Sequence, residues 1–464
     1  MRYSRTHPGA DEKSALFLRA CVFASTLFKF GQILFNVQIL YLHPLHYNKL
    51  NYNFHSSALR QEWGQKGAAH MKKLLVAMLV ALMVFVGIAS AETLGSFEVT
   101  GGQNGIDYTW ENGELTVHDG ANITIAMASG VTQSNNGSII IDPGAGNRAT
   151  VTLDGVKIVS SYQNAKSPIV VKSGNATVKL KETNTLTVND GRFSAINVPA
   201  GTKLTLGGTD YNASLTITGC NEAASIGGCY GASGDSGTIV FDTYGQINIT
   251  HSHAVYSGAA VGSGSYQEYD RNTAGSVTLN NGRVTIVNNG WGGAIGGHTG
   301  GGCCTVTVNG GKLTVSGRGI GCGSSTSNNG ALPTPAGHLI VNGGEVDMDY
   351  SIPYAYVTVN GGSVYGCSIR DLTVHGGSVT LNPGDDAAGI GGYGDDGNYA
   401  FFYIDGGTVR VYAVNGAALG GDRYTEEQIK GTATIRGGTV ELRSTNGAAI
   451  GQGSSAQSGN QLAV

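Results

Sequence analysis

The stretch Val306 to Val315, VTVNGGKLTV, recurs down the C-terminal half of the chain with the same punctuation. Related versions are VTLNNGRVTI from Val277, LIVNGGEVDM from Leu339, VTVNGGSVYG from Val357, LTVHGGSVTL from Leu372, FYIDGGTVRV from Phe402 and ATIRGGTVEL from Ala433. A second signature follows most of them: AIGG at Ala294, GIGC at Gly319, GIGG at Gly389, ALGG at Ala418 and AIGQ at Ala449. Each unit alternates apolar and polar residues on both sides of a Gly turn, the period-two pattern of strands with one buried face. A few aliphatic side chains cannot offset the entropy of ordering one such unit, so units must stack and share a core.

The turn glycines give coils of unequal size. Gly282 to Gly311, Gly377 to Gly407 and Gly407 to Gly438 are each about 30 residues apart, whereas Gly344 to Gly362 and Gly362 to Gly377 are roughly half that. The shorter pair lacks the AIGG segment, which is therefore a further face of the coil or an outward loop. The fold expected is all-β, a right-handed parallel β-helix solenoid. Asn-Gly between alternating strands is also a strong hairpin signal, so stacked antiparallel hairpin repeats are the alternative. Only Thr425 to Lys430 reads as a short helical turn.

The first 70 residues hold four of the 74 glycines and five of the 11 histidines, and no repeat. At Met71 the character changes: Met71-Lys72-Lys73, an apolar run from Leu74 to Ile88, then Ala89-Ser90-Ala91. A basic start, a short apolar core and an A-x-A ending make residues 71–91 a signal peptide. Residues 1–70 then read as a mis-called upstream extension, unstructured or partly helical. Lys66-Gly67-Ala68 can be encoded by a purine-rich run suited to a ribosome-binding site. The alternative is an authentic extension with a membrane-anchoring segment such as Ala15 to Phe30. Residues 92–147 carry weak strands at Leu115 to Val117, Ile123 to Ile125 and Ile139 to Ile141, as an N-terminal cap and first strands should. Residues 148–464 carry the repeats, and Gln461-Leu462-Ala463-Val464 reads as the opening strand of another coil, so a truncated C-terminus is expected.

Residues 1–91 contain ten Lys/Arg and three Asp/Glu, and removing them leaves 18 basic against 29 acidic side chains, a net charge of −11. Such a chain lacks the basic stripe that phosphates require, so no nucleic-acid partner is expected. Membrane contact is expected only through the signal peptide or a missing anchor. Six cysteines remain, Cys220, Cys229, Cys303, Cys304, Cys322 and Cys367; an even count in an exported chain permits disulfides, but no pairing is selected. Small buried residues at tight turns is the plainer reading.

The order TLDGVKI (from Thr152), SPI (Ser167), NTLTV (Asn184), AI (Ala195), LTITG (Leu215) and ASIGG (Ala224), followed by NGG strands, resembles secreted bacterial carbohydrate-binding parallel β-helix proteins of pectate-lyase-like shape and related adhesin-like surface proteins. The resemblance covers most of the chain from about Leu115. It implies a right-handed β-helix, binding to polysaccharide of a plant or bacterial cell wall, and calcium in some members. None of the family's sugar or calcium contacts carries over residue by residue, because the matching positions are structural Gly and aliphatic residues.

If Val306, Val308, Leu313 and Val315 point inward, Thr307 and Thr314 point out, and equivalent positions stack into columns. One column reads Thr278, Thr307, Ile340, Thr358, Thr373, Tyr403, Thr434. The other reads Thr285, Thr314, Asp347, Tyr365, Thr380, Arg410, Glu441, with Asp349, Asn382, Tyr412 and Arg443 two residues on. Phe401, Tyr403, Arg410 and Tyr412 are then expected to share one outer face, where flat rings pack on sugars and charged groups bond hydroxyls or uronates. Ordinary cross-strand packing is the competing role.

Asp385, Asp386, Asp395 and Asp396 flank a Gly turn and are the candidate calcium ligands. Gly391 to Asp396 opens the β-roll calcium pattern GGxGxD, which then breaks at Asn398. His251 and His253 form a weaker metal signal, with a turn beside Tyr256 as the plainer role. No catalytic residue is assigned. The expected function is non-catalytic polysaccharide binding by a secreted or cell-surface monomer. Alternatives are a calcium-dependent lyase or hydrolase on acidic polysaccharide, recruiting Arg410 or Arg370 beside Asp371, and a passive adhesin shaft.

Overall fold

The alternation in VTVNGGKLTV becomes two short strands, Thr305–Val308 and Lys312–Gly317, separated by the Gly310-Gly311 turn. Val306, Val308, Leu313 and Val315 are buried, and Thr307 and Thr314 face outward. The computed structural model describes residues 91–455 except 163–165, 232–233, 255–256, 266–271, 299–302, 322–336, 392–398 and 424–429, and for side chains also except 353–354, 399–400 and 430. The extension, the signal segment up to Ser90, the segment Gln461–Val464, and residues 425–429 of the expected helical turn all lie outside the described residues; Lys430 begins a strand, Lys430–Ile435.

The turns do not fold strands back on each other. Val277, Thr278 and Leu279 pair in parallel with Val306, Thr307 and Val308 of the next coil, and Arg283 to Asn288 pair in parallel with Lys312 to Gly317. The two halves of a unit thus belong to two sheets, and each NGG turn is a corner between them. A third sheet is built from the Gly-rich signatures: Ile196–Asn197, Ile226–Gly227, Val261–Gly262 and Ile295–Gly296 pair in parallel in succession. Ile390–Gly391, Leu419–Gly420 and Ile450–Gly451 continue that pattern. The chain is a parallel β-helix of three-sided coils, and the hairpin alternative is set aside. In the short coils the third side shrinks to Ile352 and Ile369, which pair with each other and then with Ile390. The AIGG segment is therefore a face of the coil.

Close coil stacking explains both signatures. A Cβ on Gly361 would sit 2.6 Å from the Asn342 carbonyl oxygen of the coil before it, and Gly362 holds φ +70°. Only Gly satisfies both demands of that corner. In the third sheet, a Cβ on Gly262 would lie 2.0 Å from the Gly296 carbonyl oxygen. The same backbone loop recurs around each short strand: Ala224 N–H donates to the Gly228 carbonyl, Ala259 to Ser263, Gly293 to Gly297, Ala417 to Gly421 and Ala448 to Gln452, at 2.8 to 2.9 Å. The corner asparagines form an outer amide ladder, in which Asn309 donates to Asn280, Asn342 to Asn309, and Asn360 to Asn342.

Antiparallel strand pairs among the described residues are confined to the N-terminal end. Glu92–Leu94 pairs with Phe97–Thr100, which runs antiparallel to Asn122–Met127, and Tyr108–Glu111 pairs with Glu114–Val117. The fully buried Phe97 meets the Trp110 ring edge to face at 6.2 Å. From there the aliphatic interior runs through to Val411 and Leu419.

Candidate functional site

Strand register decides which outward side chains share a surface. Thr278, Thr307, Ile340, Thr358, Thr373, Tyr403 and Thr434 align coil by coil on the first sheet. Thr285, Thr314, Asp347, Tyr365, Thr380, Arg410 and Glu441 do so on the second. Phe401 and Tyr403 therefore belong to the first sheet, Arg410 and Tyr412 to the second. Their strands, Tyr399–Ile404 and Thr408–Ala413, are successive sides of one coil across the Gly406-Gly407 corner and do not pair. The expected four-residue face is thus two clusters, because the same turn that repeats the motif also changes the sheet.

On the first sheet Tyr403 packs its ring against His375 at 5.9 Å and donates its hydroxyl to Asp405 at 3.2 Å. His375 Nδ1 lies 2.9 Å from Asp405, and that contact holds the Asp405 carboxyl below its usual range. Phe401 is exposed, and Asp371 lies between Tyr356 and Phe401 in register. Asp371 is 7% exposed; burial raises its carboxyl affinity for a proton against the pull of Arg370, 3.7 Å away. The Arg370 side chain is itself only 12% exposed, so it is not displayed on the exterior as the lyase alternative requires. On the second sheet Arg410 lies 3.5 Å from Glu441 and Tyr412 donates to the same carboxylate at 3.3 Å.

The second sheet also carries a surface that the sequence columns only half revealed. A groove of about 450 Å³ lies across adjacent coils. Gln246 and Asn248 line one end, Arg283 and Thr285 follow, then Lys312 and Thr314, and Glu345 closes the other. Gln246, Arg283, Lys312 and Glu345 are laterally paired positions, two residues before the column of Thr285 and Thr314. Lys312 Nζ is 2.7 Å from Glu345 and 3.9 Å from Asp347, and the Glu345 hydrogen bond raises the lysine's pKa. The Arg283 guanidinium and the Gln246 and Asn248 amides make no side-chain hydrogen bond or ion pair to a described residue. Asp347 and then the exposed Tyr365 continue the Thr314 column beyond the groove. The missed signal was the polar residue immediately after each turn, which shares the outward side of its strand with the Thr.

Of the calcium candidates, Asp386 accepts from Asn415 at 3.1 Å and from Arg423 at 3.2 Å, and Asp385 is exposed in the turn. Asp395 and Asp396 lie outside the described residues. No group of three His, Cys, Asp or Glu suited to a metal occurs among the described residues. His251 and His253 do not converge: His251 is fully buried and His253 exposed. His251 Nδ1 lies 3.0 Å from Ser225 Oγ, and Nε2 lies 3.1 Å from both the Asn221 carbonyl and Ser257 Oγ. Burial lowers its pKa to about 4. Cys303 is disulfide-bonded, whereas Cys220, Cys229, Cys304 and Cys367 are free. Burial pushes the Cys220 and Cys304 thiols up to about 12, which makes them inert packing residues. Cys322 lies outside the described residues.

The chain matches no family model, no curated protein and no solved structure.

Proposed function

We propose that this chain is a secreted or cell-surface β-helix that binds polysaccharide without cleaving it, holding the glycan along its second sheet. The groove from Gln246 to Glu345 carries this reading. It is polar, with amide, guanidinium, hydroxyl and carboxylate groups facing one lane. Sugar recognition needs such mixed donors and acceptors, with an aromatic surface for the ring faces. Tyr365 supplies that surface in the same lane, and Arg410 and Tyr412 extend it. Neighbouring strands lie about 4.8 Å apart, close to the advance of one residue in an extended glycan, so a chain parallel to the solenoid axis meets one coil per sugar. The first-sheet pair Phe401 and Tyr403 is a separate surface in this reading. Calcium, at the turn carrying Asp385, Asp386, Asp395 and Asp396, is an accessory ligand in this reading.

The test is retention of the protein from Glu92 onward on a panel of neutral and acidic polysaccharides, with and without a calcium chelator. Binding is expected, with Tyr365→Ala weakening it about ten-fold while the melting temperature stays unchanged. Retention nowhere in the panel favours the passive shaft. Ultraviolet-absorbing unsaturated ends released from polygalacturonate would replace binding with lyase activity.

A further inference from the structure

We infer that Arg283 is an anion-anchoring subsite in the second-sheet groove, so that the glycan held there bears carboxylate or sulfate groups. The inference rests on the binding role proposed above. Within the groove the charges are unequally committed. Lys312 is bonded to Glu345 at 2.7 Å and also lies 3.9 Å from Asp347, which places both carboxylates on the lysine. On the same sheet Arg410 and Arg443 both face Glu441. Arg283 has no carboxylate partner among the described residues, yet it sits one coil from Lys312 in exact lateral register and is exposed.

The neighbours of Arg283 suit an anion. On the preceding coil the Gln246 and Asn248 side-chain amides are uncommitted and present N–H donors. On its own strand Thr285 adds a hydroxyl that donates or accepts. A guanidinium offers parallel N–H donors that match two oxygens of one carboxylate or sulfate, and its weak hydration lowers the cost of contact. The lane also prevents collapse of this charge onto the protein: Glu345 lies beyond Lys312, two strand spacings from Arg283, and is already engaged. A uronate residue seated over the Arg283 coil therefore places its carboxylate at the guanidinium and a ring hydroxyl at Thr285, while the sugars on either side meet Asn248 and Thr314. A sulfate ester uses the same donors.

Isothermal titration of the wild-type chain with polygalacturonate, its carboxyl-reduced neutral counterpart, dextran sulfate and dextran tests this. The anionic member of at least one pair is expected to bind about ten-fold tighter than its neutral counterpart, and whichever pair shows the gap identifies carboxylate or sulfate as the group read. Arg283→Ala should remove the preference, lowering affinity for the anionic polymer about ten-fold and for its neutral counterpart by less. Glu345→Gln should strengthen anionic binding by freeing Lys312, an outcome that loss of folding cannot mimic. Equal binding of anionic and neutral polymers, or an unchanged preference in Arg283→Ala, overturns the subsite and leaves the polysaccharide-binding role intact. No binding of any polymer overturns both.

Discussion

Gly361 and Gly362 show how much of the sequence is dictated by contact between coils. The first is excluded from bearing a side chain by the Asn342 carbonyl at 2.6 Å, the second by its φ of +70°. Gly113, in the N-terminal hairpin turn, has φ +80° but nothing within 4 Å of an added Cβ. The two kinds of glycine are therefore separable by substitution. Gly113→Ala should cost about 1 to 2 kcal/mol, the penalty of left-handed backbone alone. Gly361→Ala should cost about 3 kcal/mol or more, because a backbone oxygen in a tightly packed stack has nowhere to move. Urea denaturation of the two variants checks the ordering, and equal costs would mean that coil spacing relaxes readily.

Within an element, strand alternation was legible from the sequence because each Val, Ile or Leu of the NGG units answers to a single rule, inside or outside. That rule put the Thr307 and Thr314 columns in their observed register. The grouping of Phe401 and Tyr403 with Arg410 and Tyr412 was not legible, since periodicity says which side of a strand a residue takes but not that Gly406-Gly407 turns a corner between sheets. The paired-imidazole reading of His251 and His253 failed for a related reason, whereas a turn role fits His251. It aligns with Gly219 and Asn288 at the corner between the second and third sheets, where an inward polar side chain satisfies turn backbone groups. Asn288 accepts from Gly290 N–H and donates to the Gly292 carbonyl there. That corner is expected to be acid-sensitive. His251 stays neutral in the fold down to about pH 4, while in the unfolded chain it protonates near 6.5. As pH falls from 6.5 towards 4 the unfolded state gains protons that the folded state refuses, so stability drops, by on the order of 3 kcal/mol at most. His251→Asn should lose less stability than wild type between pH 7 and pH 4 in urea melts; parallel losses would place the acid sensitivity elsewhere.

Along the described coils, each coil is held by strand pairing with its neighbours. The N-terminal hairpins matter for this reason: Phe97 and Trp110 lie over the aliphatic interior where the parallel stack begins. Phe97→Ala should cost about 3 to 5 kcal/mol locally and expose strand edges that favour association. Amide exchange should then quicken around Ile123 and Val151 well before Val306 and Val341 respond. A uniform rise along the chain would show one cooperative block instead.

In the short coils the third sheet shrinks to Ile352 and Ile369 while the other two sheets keep their pairing. The shortening of these coils thus falls on one flank. The opposite flanks keep a metre set only by backbone hydrogen bonds, so a polymer read there is measured in equal steps whatever the loops behind it do.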